Sequence, residues 1–158
     1  MGRKIESLND IPSSAPLAMI LLPVAFALHV AEEWFAGFVD WARLVLDINI
    51  EAERFLAINM VGLVLFVIGC TSAYRERRVA WIGVSLAALV GVNAVAHTAL
   101  SVFVGEYSPG TITGLLLYVP MSIIILRWAV IHLSRGVVSG AVLFGIGIHA
   151  VATLSATL

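Results

Sequence analysis

A polytopic membrane bundle of about five α-helices is the fold that this 158-residue chain predicts, and three observations predict it. The residues are 61% hydrophobic and only 12% charged, with a mean hydropathy of +1.03, whereas a soluble domain carries about twice that charged fraction. Apolar runs of membrane length recur along the chain. The basic residues gather in alternate connecting segments. A net charge of −1 offers no basic surface to nucleic acid. The single cysteine, Cys70, excludes an internal disulfide and a cysteine-based zinc site. Its neighbours Val67, Ile68 and Gly69 fit a small buried thiol rather than a nucleophile.

The spans are expected at about 15–36, 54–74, 79–104, 111–131 and 136–156, within one membrane domain covering residues 1–158. The first run contains Ala25-Phe26-Ala27, which could pass for a signal-peptidase site. Glu6 and Asp10 spoil a basic leader, however, so the run reads as a retained helix. Between the first two spans, Phe38, Trp41, Ala42 and Val45 recur at helical spacing. Asp40, Arg43, Asp47 and Glu51 fall on another face, so residues 38–52 read as a short helix lying along the membrane surface. Pro23 and Pro120 should kink the first and fourth spans. The fifth span carries a small-residue face, Gly136, Gly140 and Gly147 among others, suited to close packing in the bundle or in a homo-oligomer.

Charge sets the expected topology. Arg3, Lys4, Arg75, Arg77, Arg78, Arg127 and Arg135 fall on one side, and only Arg43 and Arg54 on the other. By the positive-inside rule this gives an N-in, C-out chain, as in a bacterial or archaeal cytoplasmic membrane. Trp81 and Trp128 then lie near the inner interface, and Trp34 and Trp41 near the outer one, where anchoring accounts for them.

Against this background the segment His29-Val30-Ala31-Glu32-Glu33 stands out. One ionised group at membrane depth costs at least a few kcal/mol, so three titratable groups within five residues need an explanation. On a helix, Glu32 and Glu33 follow His29 by three and four residues and lie on its side of the cylinder. The topology aligns further polar residues with them. His29, His97 and His149 each lie roughly 10 Å below the outer end of their helices. Asn59 enters from that end at a similar depth, Asn93 is one turn below His97, and Tyr107, Thr111 and Thr113 lie on or beside the outer third loop. The inner half holds almost nothing comparable, so a site opening to the outer face is expected.

Each member also has a plainer reading. Glu32 and Glu33 could sit in the interface, Asn59 and Asn93 could hydrogen-bond between helices, and His149 could be a packed histidine. His132, beside Ser134 and Arg135 at the inner end, needs no function.

The first motif, the second histidine in Asn93-Ala94-Val95-Ala96-His97, and Tyr107-Ser108-Pro109-Gly110 together resemble the small integral-membrane family named after its HXXEE motif. That family carries HXXEE, a further histidine and YXPG in this order, and the resemblance covers roughly residues 17–127. It implies a shared site containing His29, Glu32, Glu33, His97, Tyr107, Pro109 and Gly110, without supplying a reaction. His149 lies beyond the matched stretch.

Chemically, His29, Glu33 and His97 offer two imidazoles and a carboxylate, with His149 or Glu32 to complete a shell. Such a set suits a divalent transition metal (zinc, iron or manganese), and an open position would activate water. Glu33, one turn from His29, is the expected ligand, with Glu32 as orienter or proton carrier. Tyr107 would orient a substrate, and Pro109 and Gly110 would form the turn that holds it. Asn59, Asn93 and Thr111 would line the site. The leading expectation is a membrane enzyme using metal-assisted or acid–base chemistry on a lipid or other apolar small molecule. The alternative is a membrane protein that binds or transports a metal ion, proton, haem or quinone. A simple channel would need polar groups continuing to the inner side.

Overall fold

The computed structural model describes residues 15–157. Six helices follow one another: α1 (Leu17–Phe35), α2 (Phe38–Leu46), α3 (Ala52–Arg75), α4 (Ala80–Val104), α5 (Thr111–His132) and α6 (Arg135–Thr157). A tight turn over Arg77–Val79 leads into α4, and no strand occurs among the described residues. All but α2 are long and apolar enough to cross a membrane. The expected spans agree with these helices within a few residues. Arg3, Lys4, Glu6 and Asp10 lie outside the described residues.

The surface stretch expected over 38–52 is helical only as far as Leu46. Asp47 there adopts a left-handed conformation, φ 57°, which closes α2 and redirects the chain toward α3. Aspartate tolerates that conformation better than most side chains.

α4 is the central helix, with α1, α3, α5 and α6 packed around it. The core is made by Met19, Leu22 and Phe26 of α1, Phe66 and Cys70 of α3, Val84 and Val90 of α4, and Ile125 of α5. In lipid little hydrophobic gain remains for helix association, so close fit carries the packing. Gly145 illustrates this, since a Cβ at that position would strike the α4 backbone at Ser85. Gly136, Gly140 and Gly147, expected to pack closely in the bundle or in a homo-oligomer, face open space within the single chain. α6 is the least buried of the five long helices.

The fourth span is irregular where Pro120 predicts it. Gly114–Tyr118 form one wide turn of π-helix, and Pro120 stands just beyond it. Proline has no N–H for the regular ladder, and its ring collides with the carbonyl four residues back. A widened turn relieves both problems.

The bundle therefore has two unlike ends. At one end Arg77 donates to the His132 carbonyl at 2.6 Å and ties the turn before α4 to the last carbonyls of α5. His132 itself stacks on Trp128, with ring centroids 5.1 Å apart. The other end carries α2 and the segment between α4 and α5.

Candidate functional site

α1 presents His29 and Glu33 one turn apart, and α4 brings His97 against them. Glu33 Oε1 lies 3.5 Å from His29 Nε2 and 3.1 Å from His97 Nε2. The three side chains are buried, and one ligating atom from each falls within 4.8 Å of the others. The imidazoles stand edge to face, 5.3 Å between centroids. Each ring is held from behind by a hydroxyl: His29 Nδ1 is 2.8 Å from Thr113 Oγ1, and His97 Nδ1 is 3.0 Å from Ser108 Oγ. With Nδ1 engaged in this way, both Nε2 atoms are free to face a common point, as ligating histidines do. Phe38 of α2 lies over His97 at 5.5 Å between ring centroids, so the surface helix forms one wall of the site.

Glu32 points elsewhere. Its carboxylate accepts the Tyr107 hydroxyl and the backbone N–H groups of Gly110 (3.1 Å), Ile112 (3.0 Å) and Thr113 (2.7 Å). The N–H groups of a helix's first turn have no partner within the helix, and a negative charge there is favoured by the helix dipole. Glu32 of α1 thus caps α5 from outside that helix. Burial and the Glu32 carboxylate beside it push the Tyr107 hydroxyl up to about 12.

The intervening turn is built for both tasks. Thr111 N–H donates to the Ser108 carbonyl at 3.1 Å, closing a turn with Pro109 and Gly110 at its centre. Gly110 has φ +101°, the left-handed value that position requires. A Cβ on Gly110 would also come within 2.8 Å of His29 Cε1 and 3.0 Å of His97 Cε1. Glycine is needed here on two grounds, backbone angle and close approach to the imidazoles.

Comparison with known families agrees with this architecture. A family model described as a protein of unknown function with HXXEE motif matches residues 20–125, more than half of the chain. The chain belongs to the HXXEE family. No curated protein and no solved structure matches it.

In this HXXEE chain the motif histidine and its last glutamate form the cluster, whereas the first glutamate builds the cap. Several residues expected at the site take other places. Glu32 and Tyr107, expected as catalytic residues, face each other and the α5 backbone rather than the three-residue cluster. His149, expected as a ligand, is half-buried on α6 and stands outside the three-residue cluster. The Asn59 amide donates to the Phe55 carbonyl of its own helix at 2.9 Å. Asn93 keeps a buried side-chain carbonyl oxygen without a hydrogen-bond partner among the described residues. Thr111 binds Ser101, Ser108 and the His97 carbonyl, stabilising the turn rather than facing a ligand.

Ser108 and Tyr118 are the contributors that sequence reasoning missed as site residues, and Thr113, expected only beside the outer loop, supplies the hydroxyl behind His29. Ser108 occupies the variable position of the YXPG motif, and Thr113 is the third residue of α5. Tyr118 lies in an apolar run, and only Pro120 two residues later signals that its turn is unusual.

Proposed function

We propose that this protein holds a divalent transition metal between His29, Glu33 and His97 and uses it to polarise or activate an oxygen ligand. The observation that carries this reading is the convergence of two buried imidazole Nε2 atoms on one buried carboxylate oxygen. Two histidines and one carboxylate match the donor set of zinc, iron or manganese sites that keep an open position. With neutral histidines, the ion's two positive charges and the single Glu33 charge leave one net positive charge. That charge is offset in a low-dielectric site by one anionic oxygen ligand.

Setting this centre among membrane-length helices suits a lipid or other apolar substrate. The basic residues at the far end support placing the centre toward the outer leaflet. The core below the cluster is largely apolar, with Met19, Leu22, Phe26, Val84 and Val90, and its buried serines, Ser85 and Ser122, bond to α4 carbonyls, which favours chemistry or binding over simple conduction.

The 3.1 Å approach of His97 Nε2 to Glu33 favours a second reading, an acid–base pair working without metal. Elemental analysis of protein purified in mild detergent, without chelator or nickel resin, separates the two. About one zinc, iron or manganese ion per chain is expected, with loss in His97→Ala. Protein that stays metal-free after incubation with zinc(II), manganese(II) and iron(II) would leave the acid–base pair.

A further inference from the structure

Two polar atoms at the cluster are buried without a hydrogen-bond partner among the described residues: His29 Nε2, which stands 3.5 Å from Glu33 Oε1, and the Tyr118 hydroxyl. Tyr118 is only 1% exposed. Its ring packs on His29 with centroids 4.4 Å apart, and its phenol is within electrostatic reach of Glu33. A buried hydroxyl with nothing to bond is an expensive way to fill a core, since phenylalanine fills nearly the same volume without that cost. Tyr118 also closes the wide turn Gly114–Tyr118, and such turns re-aim the side chains they carry. An irregular backbone and an unsatisfied donor thus coincide at one residue, and that residue abuts the cluster.

We propose that Tyr118 is a ligand-binding residue whose O–H donates a hydrogen bond to a monoanionic oxygen ligand held at His29, Glu33 and His97. The inference rests on the metal reading above and specifies what the centre accepts. His29 Nε2 finds its partner in the ion, and the Tyr118 hydroxyl finds its partner in the ligand oxygen. The phenol suits this role because it donates without adding charge, so the single positive excess remains to bind an anion such as hydroxide, carboxylate or hydroxamate.

Cobalt(II) provides the probe, since its visible spectrum reports both metal occupancy and added ligands. Wild-type protein and Tyr118→Phe are loaded with cobalt(II) and titrated with acetohydroxamate. The variant is expected to bind cobalt(II) within about twofold of wild type and acetohydroxamate about tenfold more weakly. The metal-free variant should unfold at a temperature no lower than wild type, because only an unpartnered hydroxyl has been removed. Equal acetohydroxamate affinity in the two proteins, or binding to neither, would overturn the role of Tyr118 and leave the metal centre standing. Loss of cobalt(II), or a lower unfolding temperature of the metal-free variant, would also overturn it by making the hydroxyl a ligand or a structural bond. Wild-type protein that takes up no cobalt(II) would instead remove the metal reading itself.

Discussion

Glu32 and Glu33 are neighbours in sequence, yet they serve two different regions of the molecule. The helix turns them about 100° apart. That rotation sends Glu33 into the bundle against two imidazoles and Glu32 sideways onto the start of α5. The Glu33 region gathers groups that can all bind one cation. The Glu32 region gathers donors, three backbone N–H groups and a phenol, around a single anion. One carboxylate leaves coordination capacity for something outside the chain, while the other is occupied by the chain's own backbone. Adjacent identical residues in a motif therefore need not share a role, because the partners each meets decide it.

Exchanging the two residues' chemistry tests this contrast most severely. Glu33→Gln should weaken metal binding by more than about 100-fold, since outer partners of a ligand alone can account for 10–100-fold. Glu32→Gln should keep the ion. Metal content measured on both variants checks this, and retention in Glu33→Gln with loss in Glu32→Gln would reverse the assignment.

A smaller effect sharpens the cap side. Glu32→Gln replaces a charged acceptor with an amide that still accepts but brings two donors of its own toward N–H groups. It should lower unfolding stability by about 1–3 kcal/mol. Denaturation in mixed detergent, compared with Glu33→Gln in metal-free form, is the measurement. A Glu32 variant as stable as wild type would mean that the cap contributes nothing.

The smallest effect belongs to Tyr107. Tyr107→Phe removes one partly exposed hydrogen bond and should cost at most about 1 kcal/mol. The sign of its pH dependence is fixed. The hydroxyl titrates near 10 when free and is raised to about 12 in the folded chain. Its contribution is therefore complete below about pH 10 and disappears as pH rises toward 12. The stability difference between wild type and Tyr107→Phe should close over that window, and a constant difference would assign the effect to packing alone.

Much of this was legible in the sequence, for identifiable reasons. Apolar length fixes the spans, and the i, i+4 spacing fixes the His29–Glu33 pair, because both depend only on helix periodicity. Depth was legible too, and it rightly brought His97 to the level of His29. Depth alone does not set direction around a helix axis, however. That is why Asn59, at a similar level, bonds to its own helix instead of joining the cluster. Tyr118 was obscured by a different effect. Its direction depends on the wide turn in α5, which breaks the regular rotation that periodicity assumes.

The three-helix origin of the site also has a consequence for biosynthesis. A first helix entering the bilayer carries His29, Glu32 and Glu33 with no partners from later helices. His97 arrives only with α4, and the N–H groups that bind Glu32 arrive only with α5. The first helix must therefore wait through three later insertions, α3, α4 and α5, before its charges are matched. α6, which supplies none of these groups, can follow without altering that balance.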